Sequence, residues 1–120
     1  MRRALLVGAM LVALLLPGSP ILGATKSFRA SGSPGDFSWS PGIQRIAKGD
    51  AIRWRNPLSG SHKVVSYGVN WSYDKTVAAG ESVRKRFRKR GRFKFRCTLT
   101  GHSSLSDGVC SGMCGKVVVR

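Results

Sequence analysis

Acidic side chains are scarce in this sequence, with five Asp and Glu against 21 Lys and Arg in 120 residues. Acid–base hydrolysis draws on carboxylates held together, and no such pair is apparent. Histidine is scarcer still, with only His62 and His102. No serine–histidine–aspartate arrangement and no glycine loop of the kind that cradles phosphate is present. There is no internal repeat, no low-complexity tail and, beyond Lys26, no helical apolar period. Cysteine is limited to three residues, Cys97, Cys110 and Cys114. An odd number leaves one thiol to be explained if the other two pair.

The only long apolar run, Ala4 to Leu16, lies at the N-terminus behind Arg2 and Arg3. It falls short of the roughly 20 residues a spanning helix needs. Pro17, Gly18 and Pro20 break it, and Leu22-Gly23-Ala24 ends in small residues. This is the order of a secretory signal, so residues 1–24 are expected to be removed and 25–120 to form one domain. A retained N-terminal anchor is the alternative. Cleavage after Ala24 removes 24 of 120 residues and two of the 21 basic side chains, leaving 96 residues with a formal charge of about +14. Such a charge attracts acidic partners or anionic polymer and says little about fold.

The remainder reads as short strands cut by turns. Ile43 to Ile46 is bounded by apolar residues, and Lys48-Gly49-Asp50 is a turn. Ala51 to Asn56 alternates Ile52 and Trp54 against Arg53 and Arg55, the period-two signal of a half-buried strand. His62 to Tyr67, Glu81 to Phe87, Arg92 to Arg96 and Lys116 to Arg120 are further strands, while Gly68 to Gly80 reads mostly as connection. Six or seven such strands indicate an all-β fold, a sandwich or small barrel.

The residues that carry chemistry stand at strand ends and in loops. Cys97 ends the Phe93 to Arg96 strand, His102 follows five residues later, His62 opens a strand, and Met113 sits in Gly112-Met113-Cys114-Gly115. One soft thiolate, two imidazoles and a weak thioether are the donor set of a blue-copper site. Thiolate and thioether favour Cu(I), whereas imidazole serves both oxidation states.

In these segments the sequence resembles the cupredoxins, in their plastocyanin-like and azurin-like branch. Ile46 to Asn56 is similar to the family's strand pair leading to an asparagine, and His62-Lys-Val-Val65 to its first histidine strand. Gly91 to Cys97 is similar to the aromatic strand that ends in the copper cysteine, and Gly112 to Val117 to the axial methionine and last strand. The resemblance implies an eight-stranded Greek-key β-sandwich and one type I copper ion held by His62, Cys97, His102 and Met113. It further implies that Asn56, helped by Thr98, ties the His62 loop to the Cys97 loop by hydrogen bonds. The ten residues between His102 and Met113 make a longer loop than the family's. Cys110 and Cys114 are expected to close it as a disulfide, leaving Cys97 for copper.

The function so implied is single-electron transfer outside the cytoplasmic membrane, by a protein that is not an enzyme. A copper chaperone or buffer is the alternative. Another is a structural or adhesive β-domain, with zinc held by Cys97, His102, Cys110 and Cys114 as a Cys3His set. From Arg84 to Arg96 nine of thirteen residues are Lys or Arg. This stretch is either a solvated hairpin or a docking face for an acidic redox partner or anionic envelope polymer. The export signal argues against nucleic acid, and a monomer is expected.

Overall fold

The structure, a computed structural model, describes residues 23–120. All but the last two residues of the expected signal segment therefore lie outside the described residues, and the chain enters its first strand at Thr25.

Eleven strands follow: β1 Thr25–Ser31, β2 Ser38–Ser40, β3 Ile43–Ile46, β4 Ala51–Arg55, β5 His62–Tyr67, β6 Asp74–Val77, β7 Ser82–Arg86, β8 Gly91–Arg96, β9 Ser103–Ser106, β10 Val109–Gly112 and β11 Cys114–Val119. They form a four-stranded sheet in the order β2-β1-β4-β7, a five-stranded sheet in the order β3-β11-β8-β5-β6, and a separate β9–β10 hairpin. The chain crosses between the two large sheets from β2 to β3, β3 to β4, β4 to β5, β6 to β7 and β7 to β8, which gives the expected Greek-key sandwich. β1 runs parallel to β4, and β3 parallel to β11.

Alternation sets the packing. Phe28 and Ala30 on β1 and Ile52 and Trp54 on β4 turn inward, as do Phe93 and Phe95 on β8 and Val117 and Val119 on β11. Phe95 bridges the sheets, its ring edge-on to Phe28 at 4.8 Å and to Trp54 at 5.3 Å. Each buried aromatic of this kind contributes roughly 1.5–3 kcal/mol relative to exposure. Gly115 belongs to the same contact, because a Cβ there would collide with the Phe95 ring.

Five strands, β1, β2, β6, β9 and β10, lie outside those read from the sequence. β6 occupies part of the segment read as connection. Its Asp74, Lys75 and Thr76 are exposed and only Val77 is buried, so no alternation marks it, and pairing with β5 makes it a strand. The β9–β10 hairpin also lacks a strand signal, being mostly serine, glycine and exposed side chains. It is held by its backbone ladder and a Ser104–Ser111 hydroxyl contact of 2.9 Å. Eleven strands thus replace the eight implied by the resemblance.

Candidate metal centre

Four segments meet at one end of the sandwich. Asn56 follows β4, His62 opens β5, Cys97 follows β8, and Met113 lies between β10 and β11. Strand register brings them together, since β8 lies between β11 and β5 in one sheet.

The donor atoms converge. His62 Nδ1 lies 3.2 Å from His102 Nδ1, and Cys97 Sγ lies 3.3 Å from the same His102 nitrogen. One donor atom from each of the three residues falls within 4.8 Å of the other two. His62 and Cys97 are buried, and His102 is partly exposed. A neutral imidazole carries one N–H, so with that proton on Nε2 each ring presents an Nδ1 lone pair to the point that Cys97 Sγ also faces. A first-row cation, with bonds of about 2.0 Å to nitrogen and about 2.3 Å to sulfur, fits among donors at these separations. The donor set suits copper, as thiolate with imidazole is the soft-to-borderline combination it prefers.

Backbone hydrogen bonds lock the three loops. Cys97 N donates to Met113 O at 2.9 Å, and Met113 N donates to His102 O at 2.9 Å. Ser103 Oγ donates to Cys97 O. Lys63 N donates to Cys97 Sγ at 3.2 Å, which ties the start of β5 to the Cys97 loop. Gly112 has φ +91°, and a Cβ there would meet His102 O at 2.6 Å. This turn therefore requires glycine just before Met113. The Met113 side chain is fully buried in the core cluster.

Asn56 is buried and fully used. Its Nδ2 donates to Gly60 O at 2.7 Å and Val77 O at 2.8 Å, and its Oδ1 accepts from Leu58 N at 3.0 Å. It thus braces the loop before His62, as the resemblance implied, but against β6. No Asn56–Thr98 hydrogen bond occurs among the described residues, and Thr98 is exposed. The tie to the Cys97 loop comes instead from Ser103 and Lys63 N.

Phe37 was not visible as a site residue in the sequence. Its ring packs edge-on to His62 at 4.6 Å and against His102 at 4.8 Å, helping to bury His62 while His102 stays partly exposed. Nothing local to its Gly- and Ser-rich loop announces this. Burial, and secondarily the charge of His102, lowers the His62 pKa below its ordinary 6.5. His102 is reached from outside through a groove of about 280 Å³ that Phe37, Ser104 and Ser111 help to line.

Cys110 and Cys114 form a disulfide with a Cα separation of 6.2 Å, and Cys97 is free. The Cys3His zinc set is therefore not assembled, because two of its thiolates are consumed. The basic stretch does not form one patch. Arg84 and Arg86 lie on one sheet, and Arg92, Lys94 and Arg96 on the other.

No family model and no curated relative matches this sequence. The fold does match solved structures. A purple cupredoxin from Nitrosopumilus maritimus superposes with a TM-score of 0.62 at 19% identity, over 79% of this chain and 99% of that one. A mutant of amicyanin, in its Cu(I) form, gives 0.61 at 17% identity over 80% and 82% of the two chains. A copper-containing nitrite reductase from Thermus scotoductus gives 0.58 at 19% identity, over 85% of this chain but 23% of the larger enzyme. The chain has the cupredoxin fold.

Proposed function

We propose that this cupredoxin-fold chain is an exported one-electron carrier that holds a single copper ion through His62, Cys97, His102 and Met113. The observation that carries the reading is the convergence of the His62 and His102 Nδ1 atoms with Cys97 Sγ, at 3.2 and 3.3 Å, from the start of β5 and the β8–β9 loop. Copper at this point would supply the Cu(I)/Cu(II) couple. The chain supplies everything else.

Cys97 provides the sulfur ligand, held in place by the Lys63 N contact. His62, seated between Phe37 and Trp39, provides a fixed imidazole that solvent does not reach. His102, partly exposed beside its groove, is the side of the site open to a partner protein. Met113 offers a thioether from the tight turn after Gly112. Because strands and the Cys97–Met113–His102 backbone ladder hold the donors, little rearranges between oxidation states, which keeps transfer fast. The amicyanin and purple cupredoxin folds support a carrier rather than an enzyme, and the scarcity of acids supports the same choice. The strong positive charge suits an acidic redox partner outside the cytoplasmic membrane.

Titrating the purified protein with Cu(II) tests this reading. An intense visible thiolate charge-transfer band at one equivalent is the expected result, and Cys97→Ser should abolish it. A colourless protein that instead retains stoichiometric zinc would overturn it.

A further inference from the structure

The outer face of the four-stranded sheet is built from arginine. Its outward side chains include Arg29 on β1, Arg53 and Arg55 on β4, and Arg84 and Arg86 on β7. Their neighbours on alternate positions, Phe28, Ala30, Ile52 and Trp54, point into the core. Register places them side by side. Arg29 pairs with Arg55 across β1 and β4, and Arg53 pairs with Arg84 across β4 and β7. Of the other positions on this face, Thr25, Ser27 and Ser82 are hydroxylated and Ala51 is fully buried. Among the described residues no carboxylate forms an ion pair with any of the five arginines, the one salt bridge being Lys63–Asp74 on the opposite sheet. Arg86 donates to Gly49 O, whereas the other four guanidinium groups make no hydrogen bond within the described chain.

Like charges directly opposite across strands destabilise a sheet. Two such pairs in adjacent registers are a cost to the free protein, which a bound anion offsets. The groups are all Arg, whose planar fork grips phosphate bidentately where Lys offers a point charge. Neighbouring strands lie about 4.8 Å apart, and alternate residues along a strand about 6.7 Å apart. The face therefore offers paired guanidinium groups in successive rows, which a flexible chain bearing regularly spaced anions can follow group by group. A folded protein partner would ordinarily meet an apolar centre, and this face has no exposed apolar side chain.

We propose that this arginine face is a docking surface for a linear phosphodiester polymer. It is distinct from the metal end, where His102 opens beside Phe37 and the β9–β10 hairpin. A chain lying on the sheet would anchor the protein while leaving that end free. The proposal does not rest on the copper reading, and its test does not use copper.

The test measures binding of soluble poly(glycerol phosphate), a linear phosphodiester, to the purified protein by fluorescence titration, across a range of salt. Three variants are compared with the parent. The first carries Arg29→Gln, Arg53→Gln, Arg55→Gln and Arg84→Gln. The second carries Arg29→Lys, Arg53→Lys, Arg55→Lys and Arg84→Lys. The third removes the same charge elsewhere, through Arg88→Gln, Lys89→Gln, Arg90→Gln and Arg92→Gln. The face-to-Gln variant should bind at least about 10-fold more weakly. Its log–log salt slope should shrink by about 3, or four contacts at roughly 0.7 each. The Arg→Lys variant, which keeps charge and fold, should recover only part of the affinity. The control variant should lose under about 3-fold. Equal losses in the face and control variants would overturn the proposal in favour of net charge alone. Equal binding of poly-glutamate of matched length would overturn it in favour of an acidic protein. Tighter, face-dependent binding to phosphatidylglycerol vesicles would overturn it in favour of a membrane surface.

Discussion

His62 Nδ1 and His102 Nδ1 face each other at 3.2 Å although forty residues separate them in sequence. The two imidazoles are not equivalent. His62 is 1% exposed, while His102 stands at the edge of a groove. That asymmetry decides how the site responds to change.

Removing either ring should bleach the copper chromophore, but only one loss should be reversible from solution. In His102→Gly the vacated space opens toward the groove, so millimolar imidazole should enter and restore a visible band. In His62→Gly the space is enclosed by Phe37 and Trp39, and imidazole should not restore it. Absorption spectra with and without imidazole decide this. Equal rescue of both variants would contradict the assignment of His102 as the open side.

Asn56→Ala should destabilise the protein by about 2–4 kcal/mol. Three side-chain hydrogen bonds vanish, and the Val77 carbonyl is left buried without that donor. Because the bonds brace the loop before His62, copper dissociation should also quicken. Urea denaturation of the metal-free variant separates the two effects. A stability change below about 0.5 kcal/mol would show that the brace is dispensable.

Replacing Cys110 and Cys114 with serine should cost about 2 kcal/mol, the loop-closure value for so short a span. In the parent protein, alkylation under denaturing but non-reducing conditions followed by peptide mapping should label Cys97 alone. Labelling of all three cysteines would refute the pairing.

Acidification should weaken the metal-free protein. The unfolded chain protonates His62 as pH falls through about 6.5. Burial holds the folded pKa below that value. The unfolded state therefore binds more protons between the two values, and stability declines as pH falls below about 6.5, levelling once the folded pKa is passed. The slope contributed by one such group is at most about 1.4 kcal/mol per pH unit. Denaturation midpoints of the metal-free protein from pH 8 to pH 5, compared with His62→Asn, provide the measurement. The substitution should flatten the profile.

Much of the sheet structure was legible because alternation is a local signal. Ile52 and Trp54 against Arg53 and Arg55, and Phe93 and Phe95 against Arg92, Lys94 and Arg96, specify strands and faces within a few residues. β6 and the β9–β10 hairpin were not legible, because only pairing with neighbours defines them. Phe37 was invisible for the same reason, since its role is a contact across space.

By itself the sequence determined the strand faces, the kinds of donor available and the odd cysteine, because residue type and period fix these locally. Tertiary structure decided which donors share one point, as only the β11-β8-β5 register brings His62 to Cys97 and His102. It also decided that Asn56 braces β6 rather than Thr98. Finally, it divided the run from Arg84 to Arg96 between two sheets. A crossover, unlike a period, depends on residues far apart in the chain.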